Sequence, residues 1–425
     1  MKAYSEMTPA EVEAEYRKIR AEYDAIKAKK LQIDMSRGKP GSDQLCLSDG
    51  MNFVFDDGNY LCENGMDARN YGMPDGIPEC RRLFADLLGV RPEDVILGGN
   101  SSLQLMYDFI AQCLYSGCGF TPWAKQGKVR FLCPCPGYDR HFAMLEYFGI
   151  EMVNIDMLLT GPDMDQVEKA VQDPMVKGMF VVPKYSNPLG ITFSDETVRR
   201  IADLSPAADD VRVIWDNAYL VHDLTDTPDV LLNIFDVLPN RNRDMVVEVA
   251  STSKISYPGA GVSCIASSPA NLQHIRERLS EQIISYDKVN MLRHTRYFKD
   301  VAGIREQMKK HAAILKPKFD AVLEGLERDL GGLGVASWTK PNGGYFISLD
   351  VLACSATRVG VFCAEAGLKL TPVGATFPYR LDPHDRNIRI APTYPTPEVL
   401  KQAVEILTVS VRLACLEALC PGGVK

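Results

Sequence analysis

No apolar run in the 425 residues approaches the ~20 that a membrane-spanning helix needs. A secretory signal is missing as well. Met1 to Glu15 carries acids and Thr8-Pro9 where such a signal requires an apolar stretch, so a cytoplasmic protein is expected. There is no surplus of positive charge: the formal net charge is -8 and the pI about 5.4, the wrong sign for a nucleic-acid binder working through its overall field. Histidines number six, and the twelve cysteines, scattered from Cys46 to Cys420, form no C-x-x-C pair. No zinc spacing or other metal site emerges, and reduced, mostly buried thiols are expected. Internal repeats and low-complexity linkers are absent too. What is present is an ordinary globular composition, 46% apolar and 24% charged. The length suits two or three domains of ~150 residues. Such a chain buries roughly three quarters of its unfolded surface and needs no disulfide or metal staple.

The first helix can be read directly. Thr8 is the expected N-cap, Pro9 the first helical residue, and Glu11 completes a capping box. Val12, Tyr16, Ile19, Tyr23 and Ile26 then recur at spacings of four and three, giving one apolar stripe. From about residue 90 the pattern changes to seven short apolar runs: Val95-Leu97, Val129-Cys133, Glu151-Ile155, Gly178-Val182, Val211-Trp215, Met245-Val249 and Val262-Ala266. Continuous runs of this kind are strands buried on both faces. Helical patterns such as Asp163-Val171 and Asp195-Leu204 lie between them, which argues for a doubly wound α/β sheet. After residue 290 the chain reads as helical to about 330, then as a strand at Tyr345-Leu349 and a closing helix at Thr396-Leu416. That is a second, smaller α+β domain.

In an open α/β sheet, ligands bind beyond the carboxyl ends of the strands. After the first run stands Gly98-Gly99-Asn100-Ser101-Ser102 at a helix start, where backbone N–H groups, hydroxyls and the helix dipole can cradle an anion. After the second comes Pro136-Gly137-Tyr138, an aromatic that can stack on a planar ligand. The fourth ends in Tyr185-Ser186-Asn187-Pro188-Leu189-Gly190, the fifth in Asp216-Asn217-Ala218-Tyr219, and the sixth in Ser251-Thr252-Ser253-Lys254. One polar residue at a strand end is ordinary loop chemistry. An Asn, an Asp, a Tyr and a Lys at successive strand ends converge on one crevice.

This set resembles the fold-type-I enzymes that use pyridoxal phosphate, specifically the class I and II aminotransferases. The resemblance runs from Gly38-Lys39-Pro40-Gly41 to Arg389. It includes Tyr71-Gly72-Met73-Pro74-Asp75-Gly76-Ile77-Pro78 and the separations among Asn187, Asp216, Tyr219 and Lys254. Ser251-Thr252-Ser253-Lys254 followed by Tyr257-Pro258-Gly259-Ala260-Gly261-Val262 is closest to the aspartate aminotransferase subgroup called type Ic. The resemblance implies pyridoxal 5'-phosphate as cofactor, with Lys254 condensing with its aldehyde and shuttling a proton. It implies Asp216 on the pyridine nitrogen, and Tyr219 and Asn187 on the ring oxygen. Tyr138 would stack on the ring, and Asn100, Ser101, Ser102, Ser251 and Ser253 would hold the phosphate. Tyr71 would reach the neighbouring subunit's phosphate. Arg389 would grip the substrate α-carboxylate through its two-pronged guanidinium, with Asn187 and Gly38 beside it. One position departs from the larger family: its phosphate-binding arginine, in Gly-x-Arg-x-Gly, falls on Gly261 here.

The expectation is therefore a fold-type-I PLP transferase with a seven-stranded, mostly parallel sheet. Residues 45-290 would form the large, cofactor-binding domain, and 1-44 with 291-425 the small one. Its expected reaction is amino transfer between aspartate and 2-oxoglutarate, in amino-acid metabolism, by a ping-pong mechanism in a homodimer with shared active sites. Neither a nucleic acid nor a membrane is an expected partner. Arg37, Lys39, Lys184, Lys288, Arg293 and Arg296 are all eligible to bind a distal substrate carboxylate. The alternatives are another amino-acid substrate or a lyase reaction on the same scaffold. More remote is a regulator with a non-catalytic domain of this kind, which would need a basic winged helix-turn-helix ahead of Gly38-Lys39-Pro40.

Overall fold

In the structure, a computed structural model that describes residues 2–420, the Thr8 hydroxyl accepts the Glu11 N–H and the Glu11 carboxylate accepts the Thr8 N–H. That capping box starts the helix Pro9–Ala28, and the expected stripe of Val12, Tyr16, Ile19, Tyr23 and Ile26 is its buried face. The stripe packs on the closing helix Pro397–Leu419, in one hydrophobic cluster with residues from 315 to 416.

All seven expected strands are present: β1 (Val95–Leu97), β2 (Arg130–Cys135), β3 (Glu151–Leu158), β5 (Val176–Val181), β6 (Arg212–Asp216), β7 (Val246–Ser251) and β8 (Ser263–Ser267). An eighth, β4 (Gly161–Pro162), pairs antiparallel on the edge beside β3. Two residues, one of them proline, carry no periodicity that could announce a strand. The order is β1-β8-β7-β6-β5-β2-β3-β4, and β7, β6, β5, β2 and β3 are mutually parallel. Alternate side chains enter two cores, as a period of two requires. Phe131, Phe180 and Ile214 lie under the helices Ser102–Tyr115 and Pro269–Gln282. Met179, Val181, Val213 and Trp215 lie on the other face with Val167, Val198 and Ile201.

The last strand runs against its neighbours β1 and β7. Its start, not its end, therefore reaches the rim where the parallel strands finish. There Gly98 donates to the Ser263 carbonyl and Ser263 to the Gly99 carbonyl, both at 2.7 Å.

Beyond the long helix Val301–Leu330, three antiparallel strands form a second sheet: Ala336–Trp338, Ile347–Val351 and Asn387–Ile390. The middle strand begins two residues later than the sequence suggests. Gly344, at φ +82°, turns the chain against the Tyr185 backbone, and Tyr345 is left to accept a hydrogen bond from Gln44 on its hydroxyl. All twelve cysteines are free and nine are buried. Among the described residues, no helix is long and apolar enough to cross a membrane, and no cluster of side chains is arranged to hold a metal.

Candidate active site

The carboxyl ends of β5, β6 and β7 open into a cavity of about 430 Å³. Lys254, Asp216, Tyr219, Asn187 and Tyr138 line it from the strand ends of the large sheet, and Gly38, Phe346 and Arg389 from outside that sheet. Ser101, Ser102, Ser251 and Ser253 line one end. Two of the expected site residues do not line it, although the Asn100 carbonyl takes the Ser253 hydroxyl at its serine end. Asn100 turns its amide to the Pro258 carbonyl, 3.2 Å away, and Tyr71 is 74% exposed.

Asp216 closes β6 and is buried. Its Oδ2 lies 3.0 Å from His141 Nε2, while its Oδ1 is buried with no partner. A buried carboxylate oxygen without a donor is costly, so this atom is shaped for a ligand N–H. Lys254 lies 4.8 Å from the Tyr219 ring centroid and 5.8 Å from that of Tyr345. Burial lowers its pKa, against the opposing pull of the Asp216 charge, which favours the neutral, nucleophilic amine. Burial likewise raises the Tyr219 hydroxyl well above its usual range, and pushes Tyr138 up to about 12. Both phenols are therefore hydrogen-bond donors at neutral pH.

At the serine end, the helix Ser102–Tyr115 begins without a side-chain cap, so its first N–H groups and the Ser101 hydroxyl are free for an anion. Ser251 donates to Ser253, and Ser253 donates to the Asn100 carbonyl. A Cβ on Gly261 would lie 3.2 Å from the Ser253 nitrogen and the Thr252 hydroxyl. Any side chain there would press on those neighbours by a few tenths of an ångström. Hydroxyls, amides and the helix dipole carry the anion-binding character of this corner.

Arg389 is held on the strand Asn387–Ile390, opposite Ser348, and is 6% exposed. It donates to Thr371, Asn187 and Asp139, and its guanidinium carbon stands 4.9 Å from the Phe346 ring centroid. A Cβ on Gly38 would come within 2.5 Å of that same ring, so only glycine lets the Arg37–Gly38 segment close on the cavity. Among the eligible cations, Arg37 alone lines the cavity. Lys39 covers Tyr394, Lys184 binds Asp223, Lys288 binds Ser285, Arg293 binds Asn290, and Arg296 binds backbone carbonyls of Asn59 and Leu61.

Sequence reasoning missed four cavity or near-cavity residues. His141 sits one helical turn after Tyr138, and that spacing of three behind a strand-end aromatic was its only local signal. Asp139 and Arg140 both line the cavity, yet nothing local separates them from solvated charge at a helix start. His222 is buried with both ring nitrogens unpartnered, edge-on to Tyr219 and Tyr345. Burial and the Lys254 charge hold it neutral, far below its usual pKa.

A family model described as aspartate amino-transferase matches residues 7–421. The chain is 45% identical over 404 residues to an aspartate aminotransferase of Corynebacterium glutamicum, covering 94% of this chain and 93% of that one. The crystal structure of an aspartate transaminase from Corynebacterium glutamicum superposes with a TM-score of 0.93 at 43% identity, covering 96% of each chain. An α-aminoadipate aminotransferase from Thermus thermophilus, complexed with N-(5'-phosphopyridoxyl)-L-leucine, superposes at a TM-score of 0.74 over 95% of this chain and 98% of that one. At 19% identity, that likeness speaks for the fold alone.

Proposed function

The chain belongs to the aspartate aminotransferase family, and from that membership we propose that it moves the amino group of L-aspartate to 2-oxoglutarate, giving oxaloacetate and L-glutamate. It is a pyridoxal-phosphate-dependent aminotransferase of fold type I. When bound, pyridoxal 5'-phosphate supplies an aldehyde that an amine can capture and a pyridinium ring that takes up the electron pair of a breaking Cα–H bond.

The residues present fit that cofactor, and the observation that carries the reading is the unpartnered Asp216 Oδ1 in the same cavity as Lys254 and Arg389. Asp216 would hold a proton on the ring nitrogen, itself steadied by His141. Tyr219 and Asn187 would donate to the ring oxygen: Asn187 spends its carbonyl oxygen on Arg389, which leaves its NH2 for a ligand. Tyr138 would cover the ring, and Ser101, Ser102, Ser251 and Ser253 would bind the phosphate with the helix start. Lys254, its pKa lowered by burial, would capture the aldehyde and then carry the proton from the substrate Cα. Arg389 would grip the α-carboxylate beside Gly38. Arg37 and Arg140, on the cavity lining, are the cations available to a distal carboxylate.

The same proposal makes residues 45–290 the cofactor-holding domain, and 1–44 with 291–425 the domain that closes on substrate. It places the enzyme in the cytoplasm as a homodimer, with Tyr71 of each chain reaching the other's phosphate. A donor and acceptor panel tests the reaction. Initial rates with varied aspartate and 2-oxoglutarate should give parallel double-reciprocal lines, because the first product leaves before the second substrate binds a different form of the enzyme. Alanine and aromatic donors should be poorer, since they leave a cation unpaired. An aromatic or branched donor ahead of aspartate by ~10-fold, or ~1.4 kcal/mol, would refute the aspartate assignment and leave amino transfer standing.

A further inference from the structure

The guanidinium of Arg389 is already spent inside the protein. Its Nε donates to Thr371 Oγ1 at 3.2 Å, and its Nη1 donates both to Asp139 Oδ1 at 2.7 Å and to Asn187 Oδ1 at 3.2 Å. Gripping a carboxylate with two prongs takes parallel N–H groups on adjacent nitrogens. One such edge pairs Nη1 with Nη2 and the other pairs Nε with Nη2, so each has lost a member. A substrate cannot take the fork until one of the three partners lets go.

The three partners are not equivalent. Thr371 and Asn187 are neutral and buried, and Thr371 is fixed by its own bond to the Ser36 carbonyl. Asp139 carries the charge and makes the shortest contact. It is the first residue of the helix Asp139–Tyr147, lines the cavity, and keeps a third of its side chain exposed, against 6% for that of Arg389. It can therefore rotate toward water without unpacking the core.

Resting on the reading of Arg389 as the carboxylate grip, we propose that Asp139 is a positioning residue that stands in for the substrate carboxylate. In the free enzyme it neutralises a buried cation whose charge would otherwise be desolvated and unpaired. On binding, one carboxylate replaces another and Asp139 turns outward. On release it returns, so each product leaves a site that is already neutral. Such a stand-in weakens every carboxylate ligand by the fraction of time it holds the fork.

The test uses the holoenzyme with two inert acids, maleate and 3-phenylpropanoate, titrated by calorimetry. Both carry the carboxylate that Arg389 reads, whatever side chain the site prefers. Asp139→Asn should bind both more tightly, by about 5-fold or more, while Asp139→Glu should keep wild-type affinity. Without ligand, Asp139→Asn should melt below wild type, and saturating maleate should close that gap. Should the Asn protein be insoluble, Asp139→Ser makes the same test. Unchanged or weaker binding in the neutral variants overturns the proposal, since a residue that merely orients Arg389 can only lose affinity when removed. Arg389→Lys separates the two readings. Wild-type affinity in that variant sinks the grip itself, whereas lost affinity there, without tightening in Asp139→Asn, sinks the stand-in alone. If neither acid binds wild type measurably, the KM of the best amino donor is read instead, with the same directions.

Discussion

At the floor of the cavity, where β6 and β7 end, Asp216 Oδ1 has no donor and the Lys254 amine has no hydrogen-bond partner among the described residues. On the opposite wall, Arg389 has three partners. The floor is built from one sheet whose strand ends fix each polar group before any ligand arrives, and its open valences match a cofactor that stays. The wall is assembled from segments as far apart in sequence as Asp139 and Arg389, and its valences are filled internally. A site for a resident group can keep a buried oxygen unsatisfied because the group supplies the donor permanently. A site that loads and unloads substrate needs its charge balanced between visits.

The largest expected effect breaks the floor. Lys254→Ala should lower kcat by ~10⁴-fold or more, since in the proposed mechanism it removes both the capturing amine and the proton carrier. Borohydride reduction of the wild-type holoenzyme, followed by peptide mapping, should place the cofactor on Lys254. A label on another lysine would undo the floor's assignment.

Next, Asp216→Asn keeps the shape but removes the charge, and one preorganised electrostatic partner is worth about 10²–10³ in kcat. Its cofactor dissociation constant should rise as well, read by absorbance titration. A drop in kcat below threefold would show that the open oxygen is not a cofactor contact.

The wall should respond differently. Arg389→Lys keeps a positive charge and loses the fork, costing ~2–5 kcal/mol, or about 30-fold or more in substrate affinity. Cofactor affinity should stay within twofold. Equal losses of cofactor and substrate would erase the distinction between floor and wall.

The smallest effect concerns stability. Glu248 on β7 is buried, and its pKa is pushed up from 4.5 to about 7 by burial, against the hydrogen bond from Asn217. The folded state therefore holds a proton that the unfolded chain releases. Its contribution is fully present below about pH 4.5 and fades as pH rises to about 7, by up to ~3 kcal/mol. Glu248→Gln should remove that slope from a melting series between pH 4.5 and 7 while leaving kcat unchanged. An undiminished slope would place the titrating group elsewhere.

Much of the floor was legible in the chain because burial on both faces forces strands to be continuous apolar runs. Each run's polar successor, such as Asp216 or Lys254, then falls at a predictable end. The reversed β8 was not legible, since a strand's sequence pattern carries no direction relative to its neighbours. His141 escaped notice because the carboxylate that gives it meaning lies 75 positions away. Arg389 was read through resemblance, but its partner Asp139 was not, because a charged residue at a helix start looks the same whether it faces water or a buried cation.

The sequence alone determined the α/β sheet, the capped first helix, the closing helix and the polar residues that finish the strands. These follow from local periodicity and capping, which neighbouring residues impose on one another. Tertiary structure alone decided which groups meet. It left Asp216 with one open oxygen, brought Arg37 to the cavity while occupying the other eligible cations, and set Asp139 on Arg389. Those outcomes depend on contacts between segments distant in sequence, 75 positions for Asp216 and His141 and 250 for Asp139 and Arg389, whose distances are fixed only when the chain folds.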